Sequence, residues 1–186
     1  APEESMRIYG RGIRRRLAPM PGNDRRRLER AFSLLFALPG SPVIVYGDEL
    51  GMGDDLSLEG RDAVRTVMQW STASNGGFST AEAEALVRPA IQTGEFGYEK
   101  VNVAAQAGDP GSLLRWMENL CRIRREAPEI GQRDGRLVDT GERSAVAVRY
   151  ELDGSVVFTL HNLSALPCSA EIQLAVLATT LSIVAL

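Results

Sequence analysis

The sequence is poor in the residues that build metal centres and disulfide frameworks. It contains two cysteines, Cys121 and Cys168, and one histidine, His161, among 186 residues. The cysteine spacing fits neither a zinc-ligand motif nor a disulfide framework, and a single histidine excludes a multi-histidine metal site. We therefore predict no metal and no cofactor. This cysteine usage is typical of a protein of the reducing cytoplasm, which is the location we expect.

Long apolar runs and a strongly basic balance are also lacking. Residues 1–16 are charged and have no apolar core of the kind that a signal peptide needs. Residues 174–186 are apolar but fall short of the roughly 20 residues that span a bilayer. The formal net charge of -3 argues against electrostatic binding of nucleic acid, although arginines cluster at 14–16 and 25–27. We predict no membrane partner and no nucleic-acid partner.

An apolar run at residues 43–46 lies between a Pro-Gly pair and a Tyr-Gly-Asp-Glu turn. It follows a helical pattern and precedes a long polar loop, an order that is typical of a barrel or a doubly wound sheet. The run therefore predicts a buried parallel strand, with polar residues at its C-terminal end. Both architectures place their chemistry at that end of a strand.

Two segments have the apolar spacing of amphipathic helices. The first begins after Asn23 or Asp24, ends before Pro39, and has its apolar residues at Leu28, Ala31, Phe32, Leu35 and Leu38. The second begins near Pro110, ends before Pro128, and has a predicted buried stripe at Leu113, Trp116, Met117, Leu120 and Cys121. Residues 47–111 lie between them, and a loop of that length is usually functional. We expect short helices within it, for example at 80–88.

From residue 135 onward the apolar residues alternate with a period of two, as they do in half-buried strands. Asp153-Gly154 lies between two β-rich runs and predicts a tight hairpin. Further strands are predicted at 156–160 and 168–174, with His161 at a strand end. We place the boundary near residue 129, so that residues 1–129 form an α/β part and residues 130–186 a small antiparallel β module.

Six segments follow one another in an order and spacing that a known family shares. They are residues 9–20, 38–55, 60–70 with 76–79, 101–103 with 106, 112–116 and 161–164. Together they resemble the α-amylase superfamily, family 13 of the glycoside hydrolases, over nearly the whole chain. Within that family they are most similar to trehalose synthases, the maltose-to-trehalose isomerases, and to their α-glucosidase relatives.

The resemblance implies that this chain is the last part of a (β/α)8 TIM barrel followed by a C-terminal β-sandwich domain. The strand at 43–46 would be the eighth barrel strand, and residues 176–186 do not resemble the usual final strand of the sandwich. The family's three catalytic carboxylates come from earlier strands, the last of them in an Asn-His-Asp motif that this sequence lacks. A whole barrel takes about 250 residues. We therefore expect a C-terminal fragment of such an enzyme, or a gene remnant of one, without catalytic residues. The partner of a fragment would be the missing N-terminal part of the barrel.

Arg61 and Arg65 are the best candidates for substrate contacts. In the matching loop of α-glucosidases the first arginine lies near the non-reducing sugar and pairs with an active-site carboxylate, and the second supports it. Arginine suits this role because its planar fork binds carboxylates or neighbouring hydroxyls through two bonds. Gln69 is a third predicted substrate contact. Trp70 is a further candidate for the pocket lining, although a tryptophan in such a position is more often core.

The acidic residues predict no catalytic pair and no metal site in this chain. Asp48 and Glu49 are adjacent, and on a strand their side chains would point to opposite faces. They would then not form the carboxyl pair, about 5–5.5 Å apart, that retaining glycosidases need. Asp54, Asp55 and Asp62 lack the spacing of a calcium-binding loop, and we interpret them as a solvated acidic loop.

Two classes of function remain open. The first is a segment of an enzyme that processes an α-glucoside such as maltose, either a trehalose-synthase-like isomerase or an α-glucosidase or α-amylase-type hydrolase. The second is a stand-alone, non-catalytic module that binds carbohydrate or a partner chain through its β module. An isolated barrel fragment would expose open sheet edges and aggregate, whereas a true module would be monomeric and bind maltose without turnover.

Overall fold

The computed structural model describes residues 4–8, 12–132, 134–172 and 180–185. The chain divides into two compact units. Unit 1 comprises Ala1–Leu28 and Ile44–Glu118, and unit 2 comprises Glu29–Val43 and Asn119–Leu186. The domain boundary predicted near residue 129 stays a prediction. No helix in the described part of the chain combines the length and apolar character needed to cross a bilayer.

The described α-helices are α1 (Arg25–Ala37), α2 (Val103–Ala107), α3 (Leu113–Glu126) and α4 (Pro128–Gln132). The two long ones, α1 and α3, confirm the helices predicted from apolar spacing. Asp24 caps α1, since its Oδ1 accepts the backbone N–H of Arg27 at 3.1 Å. Pro128 follows the end of α3 and opens α4, a first-turn position where its missing N–H costs no hydrogen bond.

The predicted apolar stripes of α1 and α3 are buried at their central residues, but not at every residue predicted for them. Leu28 and Phe32 in α1, and Met117 and Leu120 in α3, are fully buried. Leu38 lies beyond the last residue of α1 and is 55% exposed, so its predicted burial is wrong. The predicted burial of Cys121 is also wrong because it lies at the edge of the apolar stripe and is exposed.

Residues 43–46 do not form the predicted strand. Val43 is 83% exposed, and none of the described strands pairs with this segment. A buried parallel strand depends on neighbours to accept and donate its ladder hydrogen bonds, and an apolar run alone does not supply them. Instead the chain turns at Gly47, with φ of 85°, into a short 3₁₀ helix at Asp48–Leu50. Further 3₁₀ helices follow at Asp62–Val64, Ser74–Gly77 and Ala83–Ala85, so the helix expected at 80–88 is a single short turn.

The described strands form two sheets. In unit 1, β1 (Arg7–Ile8) pairs antiparallel with β2 (Gly12–Ile13). In unit 2 the strand order is β3 (Arg136–Val138), β4 (Ala145–Leu152), β5 (Ser155–Asn162) and β6 (Thr180–Ala185). The first three of these are antiparallel, as predicted, whereas β6 runs parallel to β5. The described strands of unit 2 thus form one sheet, and the β-sandwich stays a prediction.

The hairpin predicted at Asp153-Gly154 is confirmed. Asp153 and Gly154 have φ of 50° and 84°, the left-handed pair of a type I′ turn, whose twist matches that of the flanking strands. The strand predicted at 168–174 is wrong over 168–172, where a single bond from Glu171 N–H to the Thr140 carbonyl replaces a ladder. Residues 173–174 lie outside the described residues. The apolar tail, which does not resemble a final strand, contributes β6.

The core of unit 2 is built around Tyr150, which is fully buried. Its ring packs with Ala127, Ile130 and Val157. Its hydroxyl donates to the carbonyl of Ala37, the last residue of α1. Burial raises the pKa of the Tyr150 hydroxyl, although the charge of Arg124 opposes the shift, so this group remains a neutral donor.

Arg124 completes the cap of α1. Its Nη1 donates to the Phe36 carbonyl at 3.0 Å and its Nη2 to the Gly40 carbonyl at 2.5 Å. A cation at this end of a helix meets the negative pole of the helix dipole. Desolvation lowers the pKa of Arg124 from its usual range, far above neutral pH, so the group stays charged. Together Arg124 and Tyr150 satisfy carbonyls that the end of a helix leaves without intrahelical donors.

We expect Tyr150→Phe to lower the free energy of unfolding of the chain by about 1–3 kcal/mol, because the Ala37 carbonyl loses its donor in a buried site. Urea denaturation followed by circular dichroism measures the change. An unfolding midpoint equal to that of the parent chain would show that the hydroxyl does not stabilise the end of α1.

His161 lies one residue before the end of β5, which confirms its predicted place at a strand end. The ring is buried, and its Nε2 lies 2.8 Å from Oγ of the equally buried Ser33. Burial lowers the pKa of His161, and hydrogen bonding with Ser33 offsets part of that shift. The folded chain therefore holds a neutral imidazole near pH 7.

This lowered pKa predicts a loss of stability in mild acid. Below the ordinary histidine pKa of about 6.5 the unfolded chain binds a proton that the folded chain does not, so the free energy of unfolding falls as the pH drops. The contribution is complete above pH 6.5 and is lost toward the lower folded pKa. Urea denaturation at pH 7.5 and 5.5 measures the loss, with His161→Gln as the non-titrating control. An equal loss in His161→Gln would contradict the prediction.

Candidate functional site

A buried arginine organises the turn that follows the exposed apolar run. The Arg16 side chain is 2% exposed, and its Nη1 donates to the Tyr46 carbonyl at 2.9 Å and to Oδ1 of Asp48 at 3.1 Å. Its guanidinium carbon also lies 5.2 Å from the centroid of the Tyr46 ring. The second oxygen of Asp48 accepts the backbone N–H of Val45 at 3.1 Å. One cation and one carboxylate thus fix the path of residues 45–48.

The environment of Asp48 separates it from its neighbour Glu49. Desolvation raises the pKa of Asp48, although the Val45 N–H and the Arg16 guanidinium both oppose the shift. The two residues lie in a 3₁₀ helix rather than on a strand, so the argument from opposite strand faces does not apply. Asp48 is bound to the buried Arg16, whereas Glu49 lines a cavity of unit 1. Asp48 is therefore a structural carboxylate.

The other arginines of the 14–16 cluster also bind groups of their own unit. Arg14 donates to the carbonyls of Leu56 and Leu58 at 2.7 and 3.1 Å. Oδ2 of Asp54 accepts Arg15 Nε at 2.7 Å and the backbone N–H of Arg16 at 2.9 Å. The Asp54 side chain is only 5% exposed, so its interpretation as part of a solvated acidic loop is wrong. A buried carboxylate needs a positively charged partner, and the spacing of the aspartates alone does not reveal that partner.

The loop that carries the two predicted arginines is held from three sides. The backbone N–H of Asp55 donates to the Ala63 carbonyl at 2.8 Å. Oδ1 of Asp62 pairs with Nε of Arg88 at 2.8 Å. The hydroxyl of Tyr46 donates to the Thr66 carbonyl at 2.9 Å. These contacts surround the 3₁₀ turn at Asp62–Val64 and determine where the chain leads into and out of it.

Gln69 lies inside the unit. It is 0% exposed, and its Nε2 donates to the carbonyls of Phe96 and Val101 at 3.2 and 2.5 Å. The backbone carbonyl of Gln69 accepts the backbone N–H of Val103 at 3.0 Å. The side chain therefore connects the arginine loop to the segment before α2, and the substrate contact predicted for Gln69 stays a prediction.

A cavity of about 770 Å³ opens beside this loop, within unit 1. Its lining is largely apolar and aromatic, with one carboxylate, Glu49, and two arginines, Arg65 and Arg88, among the described residues. The large apolar lining residues are Tyr46, Val67, Met68, Trp70, Phe78, Leu86 and Val87. A concave, mainly apolar site with a few polar groups is the usual form of a small-molecule pocket. We call it the Arg65 pocket.

The structure brings some of the predicted site residues together and not others. Arg65 is exposed and lines the Arg65 pocket, whereas Arg61 is exposed at the start of the turn and is not among the lining residues. Trp70 is 50% exposed and lines the pocket, so of the two positions expected for it the core is wrong and the pocket lining holds. Its burial depends on residues distant in sequence, which local patterns do not specify.

Sequence reasoning missed most of the pocket lining, including the polar residues Tyr46 and Arg88. Tyr46 ends the apolar run and is the first residue of the Tyr-Gly-Asp-Glu turn, and an aromatic residue at that place is a signal for a pocket wall. Arg88 gave no such signal, because its pairing with Asp62 spans 26 residues of irregular chain. Among the described residues no cluster of three metal-ligating side chains is present.

The catalytic domain of the α-amylase family matches residues 14–133 of this chain. The chain is 44% identical over 169 residues to a trehalose synthase from Pimelobacter sp. strain R48, covering 88% of this chain and 29% of the relative. It is 41% identical over 165 residues to a trehalose synthase from Thermus thermophilus, covering 88% of this chain and 17% of the relative. The chain belongs to the α-amylase family, which confirms the resemblance found in the sequence.

Solved structures agree on the fold. An α-amylase from H. orenii superposes with a TM-score of 0.64 at 25% identity, over 81% of this chain and 28% of that one. The trehalulose synthase MutB from Pseudomonas mesoacidophila MX-45 superposes with a TM-score of 0.59 at 24% identity, over 77% and 32%. The chain thus spans less than a third of the length of these relatives.

We expect Gln69→Leu to lower the free energy of unfolding by about 1–3 kcal/mol, because the Phe96 and Val101 carbonyls lose a buried donor. Gln92→Leu is the matched control, since Gln92 is exposed. Urea denaturation of both variants measures the difference. If Gln69→Leu costs no more than Gln92→Leu, the buried amide does not hold the loop in place.

Proposed function

We propose that this chain is the C-terminal part of a trehalose-synthase-like enzyme, which converts maltose to trehalose by retaining transfer of a glucosyl group. The Arg65 pocket carries the proposal, because it combines aromatic walls with a guanidinium. Identities of 41–44% to several trehalose synthases support the choice of reaction. In this proposal residues 1–129 belong to the last units of the catalytic barrel and residues 130–186 to a C-terminal β-sandwich domain.

The lining of the pocket suits an α-glucoside. Sugar rings have apolar C–H faces, which pack on aromatic walls such as Trp70 and Phe78. Their neighbouring hydroxyls match the planar fork of a guanidinium, which Arg65 presents at the edge of the cavity. A mainly apolar pocket with a few directional polar groups gives orientation to such a ligand.

The three predicted site residues take different parts in this proposal. Arg65 binds sugar hydroxyls directly, because it lines the pocket. Arg61, at the other end of the 3₁₀ turn, pairs with an active-site carboxylate from the missing N-terminal part of the barrel. Gln69 acts as a positioning residue, because its amide is buried against two carbonyls.

The chain does not supply the catalytic carboxylates in this proposal. A retaining mechanism needs two carboxyl groups about 5–5.5 Å apart across the scissile bond. Glu49 is the one carboxylate among the described lining residues, and the adjacent Asp48 is bound to Arg16. We therefore expect the chain alone to be inactive, with nucleophile and acid/base provided by the missing part of the barrel.

The test is Arg65→Ala in the full-length enzyme, with maltose as substrate. We expect kcat/KM to fall about 10- to 100-fold, which corresponds to a loss of roughly 1.4–2.7 kcal/mol of transition-state stabilisation. Arg61→Ala should give a fall of similar size. Arg26→Ala is the matched control, since Arg26 is an exposed arginine on α1. Wild-type values in Arg65→Ala would contradict the role given to the pocket.

Product analysis separates the proposed reaction from its alternative. Trehalose as the main product from maltose supports the isomerase, whereas glucose alone would identify an α-glucosidase-type hydrolase. The 186-residue chain by itself is assayed with maltose alongside the full-length enzyme. If it is monomeric and turns over maltose without any added segment, the assignment of the catalytic carboxylates to the missing barrel is wrong.

A further inference from the structure

We propose that the Tyr46 hydroxyl is a positioning group that sets how far Arg65 reaches into its pocket. This inference rests on the proposed function, in which Arg65 binds the sugar. The observation is a hydrogen bond across 20 residues of sequence, from the Tyr46 hydroxyl to the Thr66 carbonyl at 2.9 Å. Thr66 directly follows Arg65 and is 0% exposed, so the bond holds the backbone at the base of the arginine.

Tyr46 can act in this way because it is itself fixed. Arg16 binds its carbonyl at 2.9 Å and stacks at 5.2 Å from its ring centroid. Arg16 is buried and paired with Asp48, so a shift of Tyr46 would disturb a desolvated ion pair. The tyrosine is also part of the pocket wall. Wall and arginine are therefore connected through one hydroxyl group.

Two other contacts of the loop are more exposed or lie farther from Arg65. The Asp62–Arg88 ion pair has side chains that are 49% and 38% exposed, and exposed pairs contribute little to stability. The bond from Asp55 N–H to the Ala63 carbonyl fixes the middle of the turn rather than its exit. The Tyr46–Thr66 bond ends on a buried carbonyl that follows Arg65 directly. The backbone N–H of Arg65 also donates to the Asp62 carbonyl at 3.0 Å within the turn, so the Tyr46 hydroxyl is the side-chain group that holds the exit from the turn.

The inference predicts a particular kinetic change. Arg65 is proposed to bind sugar hydroxyls both before and during reaction, so a misplaced Arg65 weakens both states alike. Uniform weakening raises KM and leaves kcat nearly unchanged. A displacement of about 1 Å in a positioning element can cost up to 100-fold in rate or binding. A smaller displacement is expected here, because the ring of Tyr46 remains in place when the hydroxyl is removed.

The experiment is Tyr46→Phe in the full-length enzyme, assayed with maltose. We expect KM to rise about tenfold with kcat within about twofold of the parent. Tyr98→Phe makes the same chemical change in unit 1, at a tyrosine whose hydroxyl has no hydrogen bond to the described residues. It should leave both constants unchanged. Melting temperatures of both variants are recorded alongside the kinetics.

A double-mutant cycle with Arg65→Ala tests whether the hydroxyl acts through Arg65. We expect no further rise in KM when Tyr46→Phe is added to Arg65→Ala. An equal rise in both backgrounds would overturn the inference, because Tyr46 would then act without Arg65. A melting temperature and kcat that fall together in Tyr46→Phe would also overturn it, since that is a general loss of fold.

The two proposals fail in different ways. If Arg65→Ala has parent kinetics, the role of Arg65 in the proposed function is wrong, and the positioning role of Tyr46 is wrong with it. If Arg65→Ala raises KM and Tyr46→Phe does not, the proposed function stands and the positioning role alone is overturned.

Discussion

The buried guanidinium of Arg16 is the interaction on which the pocket side of this protein depends. Removing a cation from water costs several kcal/mol, which a close carboxylate, a carbonyl and an aromatic face offset here. Its Nε and Nη2 have no hydrogen-bond partner among the described residues, so the balance rests on Asp48 and Tyr46. Because separating these groups is costly, they hold the turn at 45–48 in place. The turn thereby fixes Tyr46 in the pocket wall.

Arginine has a similar task elsewhere in the chain. Arg14 binds two carbonyls of a loop without regular structure, and Arg124 binds two carbonyls at the end of α1. A guanidinium offers five donors in a rigid fork, so one side chain can connect several backbone oxygens that no strand or helix serves. This accounts for the arginine cluster at 14–16, whose three guanidinium groups bind carbonyls and carboxylates of their own unit.

Local signals in the sequence were sufficient for part of the fold. Helices α1 and α3 and the Asp153-Gly154 hairpin depend on neighbours a few residues away, through caps, apolar spacing and left-handed turn residues. The prediction of a strand at 43–46 is wrong because a parallel strand needs neighbouring strands, which an apolar run does not specify. In the site, Arg65 was predicted from a motif, whereas the exposure of Trp70 and the contacts of Tyr46 depend on residues brought together only by folding.

Many of the side chains that hold this irregular chain bind backbone carbonyls rather than other side chains. Arg14 binds the carbonyls of Leu56 and Leu58, Gln69 binds two more, and Tyr46 binds that of Thr66. Every residue type presents the same carbonyl, so substitutions at the acceptor positions preserve these bonds. The loop around the pocket can therefore change its side chains during evolution while a few donors keep its path. Ligand preference can drift there without loss of the scaffold.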